Sequence, residues 1–177
     1  MSSTNFTEAL NAQVGREFAA SQQYIAIAVW FEDRTLPQLA TFFYAQALEE
    51  RNHAMMMIRY LLDTDSTVTV PGVESPKTDF ADPREPVALA LEQDRTVGKE
   101  IEGLSEIAHD ERDHTSMNYV NWFLQEQVEE VATMTSLLQV TERAGDDIWQ
   151  VEDYLARENP REEAADPTAP EPAGGAV

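Results

Sequence analysis

Glu50 and His53 stand three residues apart, so both side chains would project from one face of a helix and could bind the same metal ion. Gln127 and Glu130 repeat this spacing further along the chain. Two more acidic residues complete a set of four carboxylates, one imidazole and one amide, which suits divalent iron or manganese better than a metal that prefers thiolates. The set is Glu17, Glu50, His53, Asp94, Gln127 and Glu130.

Helices are predicted to position all of these residues. Gly and Pro are rare between residues 6 and 62, and the break at Asp33–Pro37 combines an N-cap residue with Pro near a first helical turn. Residues 63–86 hold several prolines and a β-branched run, which predicts one long extended connection. The predicted helices are two between residues 6 and 62, one at about 86–109, one at about 116–144 and a short one at about 146–158.

Two short-turn helix pairs joined by one long connection predict an all-α fold, a four-helix bundle with a single crossover. Each long helix carries an inner stripe, by which we mean residues three and four apart that should face the bundle axis. On the first helix this stripe includes Val14, Glu17 and Tyr24. Every inner stripe has an acidic residue near its middle, so the acidic residues of the four helices are expected to meet.

The six candidate ligands should also lie at one height, because a helix rises by about 1.5 Å per residue. Counted from the turn near residue 35, Glu17 lies 18 residues before, and Glu50 and His53 lie 15 and 18 residues after. The same separations hold around the second turn, near residue 112. The residues concerned there are Asp94, Gln127 and Glu130.

Four buried carboxylates that stayed charged and unpaired would cost several kcal/mol each, on the order of the usual penalty for a buried ion. A shared cation would remove this cost. The arrangement predicts that Glu17 and His53 hold a first metal ion and that Glu50 bridges to a second. Asp94 and Glu130 would hold the second ion.

A second Glu-x-x-His pattern, at Glu106 and His109, competes with this assignment. It lies close to the turn, about 18 Å of helix from the level of Asp94, so we interpret it as an exposed helix end. The fourth helix offers Gln127 and Glu130 instead. Only one imidazole is then available, and Gln127 is expected to be a weaker, neutral partner of the second ion.

The composition excludes several classes of function. The chain has 33 acidic against 12 basic residues, a net charge of -21, which should repel nucleic acid and anionic membranes and attract multivalent cations. The absence of Cys excludes disulfides, Cys-ligated zinc, iron–sulfur clusters and thiol chemistry. Neither a signal-like start nor an apolar run of about 18 residues is present, so we expect a cytoplasmic protein.

The chain of 177 residues is expected to form one folded domain, at residues 1–158. The remaining residues, 159–177, are rich in Pro, Gly, Ala and acidic side chains. Such a segment cannot offset its ordering entropy by burying apolar surface. We therefore expect this tail to be disordered.

From residue 6 to about 157 the chain resembles the non-haem bacterial ferritins. The motifs are Glu17, Tyr24, residues 49–53 (Glu-Glu-Arg-Asn-His) and residues 122–130 (Trp-Phe-Leu-Gln-Glu-Gln-Val-Glu-Glu). The resemblance implies a ferritin-like bundle that oxidises Fe(II) with dioxygen or peroxide at a di-iron centre. It further implies a hollow homo-oligomeric shell, a 24-mer, that stores the ferric mineral.

The same resemblance implies further roles outside the paired site. Glu49, Glu126 and Glu129 would form a third iron site, although they could equally be a solvated acidic face. Each neighbours a ligand in sequence and is therefore rotated by roughly 100° from it. Tyr24 and Trp122 would donate electrons during oxidation, although both could equally be core aromatics.

Two positions depart from related patterns. Ferritins that bind haem place a Met next to the bridging Glu, whereas this chain has Arg51 there, so we predict no haem. The third-helix ligand is usually Glu, whereas this chain has Asp94, with Glu92 facing another direction. Asp is one methylene shorter, so the second metal ion is expected to bind less tightly.

Three other functions remain open at this point. A DNA-protecting mini-ferritin would place its metal site between subunits, whereas these ligands converge within one bundle and the acidic tail would repel DNA. A di-iron or manganese enzyme that acts on an organic substrate would need an apolar access pocket. A structural bundle would bind no metal at all.

Overall fold

The computed structural model describes residues 4–158 and 166–175, and within these residues all regular secondary structure is helical. The all-α prediction is confirmed, and so are a long connection after the second helix and a short fifth helix. The helices are α1 (Thr4–Asp33), α2 (Pro37–Asp63), α3 (Arg84–Asp110), α4 (His114–Ala144) and α5 (Trp149–Glu158).

Helices α1 and α2 pack along each other, as do α3 and α4, and the crossover at residues 64–83 joins the two pairs. The crossover lies against α1 at Gly15, where an added Cβ would come within 2.6 Å of Pro71 Cγ. A side chain at position 15 would therefore push the crossover away from the bundle. Within residues 4–158 and 166–175, no helix is long and apolar enough to span a membrane.

Two separate apolar clusters form the core of the bundle. On α1, Leu10 and Val14 belong to the cluster near the chain's amino terminus, and Tyr24 and Ile27 belong to the other. Glu17 lies between them in the sequence and is 1% exposed. The core is thus divided by a buried polar layer, and this layer contains the candidate ligands.

The helix ends are stabilised partly as the sequence predicts. Gly145 ends α4 with φ 59°, a conformation that favours glycine, and Asp113 caps the start of α4 by accepting hydrogen bonds from two backbone N–H groups. The start of α2 differs, because no side chain of the Asp33–Pro37 turn caps it. Instead the buried Glu152 of α5 accepts hydrogen bonds from Gln38 N at 2.9 Å and Leu39 N at 2.8 Å.

The tail differs from the expectation of disorder at residues 166–175, which lie against the bundle. Trp122 Nε1 donates a hydrogen bond to Asp166 Oδ2 at 2.8 Å, and Ala173 N donates one to Met55 O at 3.0 Å. Polar contacts and small side chains hold this segment, so its lack of large apolar residues was a poor guide. Residues 159–165 and 176–177 lie outside the described residues, and the domain boundary at residue 158 stays a prediction.

Replacing Glu152 by Gln should destabilise the fold, because an amide has one acceptor oxygen for the two N–H groups that the carboxylate now binds. Loss of a hydrogen bond to a charged group typically costs about 1.5–3 kcal/mol. Thermal unfolding followed by circular dichroism should show a lower Tm for Glu152→Gln. The control is Asp153→Asn, an exposed acidic residue on the same helix. Equal Tm values for the two variants would contradict this role of Glu152.

Candidate metal centre

All six predicted ligands are buried, and none is more than 7% exposed. They come from the four long helices: one from α1, two from α2, one from α3 and two from α4. Helical spacing explains the pairs on α2 and α4, because residues three apart lie on one face. All belong to one chain. They are Glu17, Glu50, His53, Asp94, Gln127 and Glu130.

Five of the acidic residues around His53 form two overlapping groups with it. One ligand atom from each of Glu17, Glu50 and His53 lies within 4.8 Å of the others. His53 Nδ1 lies 3.5 Å from Glu50 Oε2 and 3.6 Å from Glu130 Oε1. His53 therefore stands where the two groups meet. The second group consists of Glu49, His53, Glu126 and Glu130.

Asp94 is buried but belongs to neither group of the described residues. The Tyr24 hydroxyl donates a short hydrogen bond to Asp94 Oδ1, and Tyr24 itself is fully buried. The other oxygen, Asp94 Oδ2, has no partner. The shorter carboxylate on α3 is thus held by a phenol on α1, and only one of its oxygens is free to bind an ion.

Gln127 and Glu130 contact each other, since Gln127 Nε2 donates a hydrogen bond to Glu130 Oε2. Gly98 of α3 faces Gln127, and an added Cβ would lie 3.5 Å from Gln127 Oε1, an ordinary contact distance. Gly98 is therefore not needed for a close approach of the two helices here. Any adjustment for the short side chain of Asp94 must come from another part of the site.

Each of the six residues has a buried polar atom without a hydrogen-bond partner. Buried polar groups in proteins are nearly always hydrogen-bonded, so a cluster of unpaired ones needs an explanation. Oxygen atoms with free lone pairs around one imidazole nitrogen are the donors that bind iron or manganese, and the residues present therefore fit such an ion. The unpaired atoms are Glu17 Oε2, Glu50 Oε2, His53 Nδ1, Asp94 Oδ2, Gln127 Oε1 and Glu130 Oε1.

The protonation of the site reflects burial first and charge repulsion second. Burial raises the pKa of Glu50 and of Glu130 well above the usual range, and each has neighbouring carboxylates that raise it further. Burial also raises the pKa of Asp94 to about 7, although the hydrogen bond from Tyr24 opposes this. Burial alone would lower the pKa of His53, but Glu130 and other carboxylates raise it above its ordinary value. Without a cation the site retains protons near neutral pH.

The proposed third-site residues lie beside this centre and are more open to solvent. Glu49 and Glu126 are half-buried, while Glu129 is exposed and belongs to neither group. Burial and then the charge of Glu49 raise the pKa of Glu126 to about 7. Glu49 and Glu126 thus interact directly, and Glu129 stands further out.

Aromatic rings pack around His53. Its ring centroid lies 5.7 Å from those of Trp122 and Phe123, both in edge-to-face orientation. Trp122 therefore contacts the imidazole on one side and Asp166 of the tail on the other. The second Glu-x-x-His pattern behaves as predicted, since Glu106 and His109 are both exposed.

Gln13 is one residue that the sequence analysis missed. It is fully buried, and its Nε2 donates a hydrogen bond to Glu17 Oε1 at 2.9 Å. The spacing of four residues on one helix face was the available signal. Gln13 was not considered because the search for inner stripes followed apolar positions from Leu10 to Val14.

Comparisons with known proteins agree with this geometry. Residues 7–144 match the ferritin family, described as a ferritin-like domain. Ferritin BfrB of Mycolicibacterium smegmatis is 53% identical over 174 residues, 98% of this chain and 96% of that protein. A bacterial non-heme ferritin of Staphylococcus aureus is 36% identical over 147 residues, 83% of this chain and 89% of that protein.

Solved structures give the same answer. An open pore ferritin from the archaeon Archaeoglobus fulgidus superposes with a TM-score of 0.86 at 26% identity, covering 92% of this chain and all of that one (100%). From the sequence match, the shared fold and a buried set of carboxylates and one imidazole, we conclude that the chain belongs to the ferritin family, which supports a role in iron storage.

Proposed function

We propose that this protein oxidises Fe(II) to Fe(III) at a paired site inside each subunit and stores the product as a ferric mineral. The observation that carries the proposal is the set of unpaired, buried ligand atoms from four helices. They form a polar layer between two apolar clusters, where an uncompensated group of carboxylates would be costly. Family membership supports iron as the ion.

Within the site, Glu17 and His53 bind the first Fe(II), and Glu50 bridges to the second. The grouping of these three residues within 4.8 Å supports this assignment. Asp94 and Glu130 bind the second Fe(II), each through the oxygen that has no other partner. Gln127 adds a neutral amide oxygen, a weaker ligand than a carboxylate.

The reaction transfers one electron from each of two Fe(II) ions. Dioxygen accepts both electrons with two protons and becomes hydrogen peroxide; when peroxide is the oxidant, it accepts two electrons and two protons and becomes two waters. The protons held near neutral pH by Asp94 and Glu126 are available to this step or are released when iron binds. The carboxylates compensate the additional positive charge of the product.

Glu49, Glu126 and Glu129 receive iron next to the pair. Their position beside His53 and their greater exposure suit an ion that is passing from the buried centre to the mineral. Tyr24, which donates to Asp94, and Trp122, which packs on His53, are placed to supply further electrons. Arg51 stands where a haem-binding Met would be needed, and we propose no haem.

Mineral storage requires a closed compartment, which one bundle cannot provide. We therefore propose that the protein forms a homo-oligomeric shell of 24 subunits. Similarity to ferritins over almost the whole chain supports an oligomer of this type. The strong negative charge of the chain suits the attraction of Fe(II) and disfavours the DNA-protecting alternative.

Glu50→Ala should abolish rapid Fe(II) oxidation and leave the shell intact, because it removes the carboxylate shared by both ions while the apolar clusters are unchanged. Stopped-flow absorbance after Fe(II) is added in air measures the oxidation, and size-exclusion chromatography measures the assembly. Glu106→Ala, an exposed residue of the second Glu-x-x-His pattern, is the matched control. Oxidation by Glu50→Ala at the wild-type rate would remove the paired-site proposal.

Anaerobic Fe(II) affinity should fall as the pH falls from 8 to 6. Asp94 and Glu126, each with a pKa raised to about 7, must lose protons before they bind iron. The same shifts destabilise the metal-free protein as the pH rises from about 4 towards 7, because the unfolded chain has already released these protons and the folded one has not. Calorimetry in two buffers should show more protons released per iron at pH 6 than at pH 8. Proton release that does not depend on pH would contradict this expectation.

Asp94→Glu should tighten binding of the second Fe(II). The natural carboxylate reaches about 1.5 Å less far than a Glu would, while metal–oxygen bonds tolerate errors of only about 0.2 Å. An anaerobic Fe(II) titration should show two separated affinities in the natural protein and closer ones in Asp94→Glu, with faster initial oxidation. Glu92→Asp, an exposed carboxylate on α3, is the control. Two equally tight ions in the natural protein would show that the short side chain has no consequence.

A further inference from the structure

We propose that Gln13 is a positioning residue that decides which oxygen of Glu17 is offered to iron. The inference rests on the proposed function, because it assumes that Glu17 binds iron. Gln13 is fully buried on α1, one turn before Glu17, and its Nε2 donates a hydrogen bond to Glu17 Oε1 at 2.9 Å. Glu17 Oε2 is buried and has no partner. Gln13 thus occupies one oxygen of the ligand and leaves the other free.

The orientation of the Gln13 amide is enforced by its second contact. Arg16 Nη1 donates a hydrogen bond to Gln13 Oε1 at 3.0 Å. A guanidinium can only donate hydrogen bonds, so the amide oxygen must face Arg16 and the amide nitrogen must face Glu17. A flipped amide would place two donors against each other and two acceptors against each other. Gln13 therefore always presents a donor to Glu17.

Arg16 is itself held from another helix. Its Nε lies 3.1 Å from Glu100 Oε1 of α3, and this ion pair is partly open to solvent, with side chains 46% and 26% exposed. Gln13 also hydrogen-bonds Glu100, and this contact lowers the pKa of that carboxyl, although burial raises it more strongly. The network runs from a surface ion pair through a buried amide to a buried ligand. It fixes the ligand on α1 relative to α3, the helix that carries Asp94.

The consequence is a fixed mode of binding at Glu17. With Oε1 occupied by Gln13, the carboxylate binds iron through Oε2 alone, on the side where Glu50 and His53 lie. Hydrogen-bond partners of metal ligands fix ligand orientation, and their loss typically weakens metal binding by about 10–100-fold. Gln13 acts through Glu17 and does not need to touch iron.

The test is an anaerobic Fe(II) titration of the assembled protein by calorimetry. Gln13→Leu should weaken one of the two ions by about 10–100-fold and leave the other unchanged. Gln23→Leu is the matched control, because it removes an amide of the same helix that donates to Lys77 O of the crossover and contacts no ligand. Wild-type affinity for both ions in Gln13→Leu would overturn the proposal, and so would equal weakening of both ions.

A second readout separates positioning from a general structural effect. Co(II) bound in place of iron absorbs visible light less strongly when its coordination number is higher. Gln13→Leu frees Oε1, so Glu17 can bind through both oxygens, and the Co(II) absorbance should fall. Unchanged Co(II) absorbance together with a merely lowered Tm would show a structural role only and overturn the proposal.

Arg16→Met keeps the test decisive if Gln13→Leu does not assemble. Position 16 is exposed, so the bundle tolerates the change, but the amide of Gln13 loses the contact that orients it. The same ion should then bind several-fold more weakly, and unchanged binding would overturn the proposal. If the natural protein bound no pair of ions, the proposed function itself would fail, and that result is distinct from a natural pair that does not respond to these variants.

Discussion

Four carboxylates repel one another at the centre of this bundle, where Glu17, Glu50, Asp94 and Glu130 are all buried between two apolar clusters. Burial and mutual repulsion make the charged forms unfavourable, and the raised pKa of Asp94, about 7, is one result. A pair of cations relieves both effects at once. The metal-free bundle is therefore prepared for cations at the expense of its own stability, which is the usual relation between a binding site and the fold that carries it.

The rest of the molecule holds these groups in place against that repulsion. The two apolar clusters lie on either side of the polar layer and keep the four helices together. Tyr24 holds Asp94, and Gln13 holds Glu17, so both acidic ligands of the first and third helices have one oxygen fixed by a neutral donor. A neutral donor orients a carboxylate without competing for its charge, so the attraction to a cation is preserved.

The sequence was sufficient for the features that depend on local periodicity. Helical spacing and the distance to each turn predicted the burial of His53 and of its carboxylate neighbours at one level of the bundle. Contacts between distant parts of the chain were beyond this reasoning. Tyr24 reaches Asp94 across 70 residues, and Glu152 caps a helix 113 residues or more away, because packing angles and rotamers decide such contacts. Composition likewise gave no sign that Asp166 would bind Trp122.

The central claim is that two iron ions bind inside each bundle, in the polar layer that divides its core. Crystals of the protein soaked with Fe(II) without oxygen, and measured at the iron absorption edge, test this claim directly. The account predicts two anomalous peaks in every subunit, one beside Glu17 and His53 and one beside Asp94 and Glu130, with Glu50 between them. Peaks confined to the exposed carboxylates, with none in the polar layer, would contradict it.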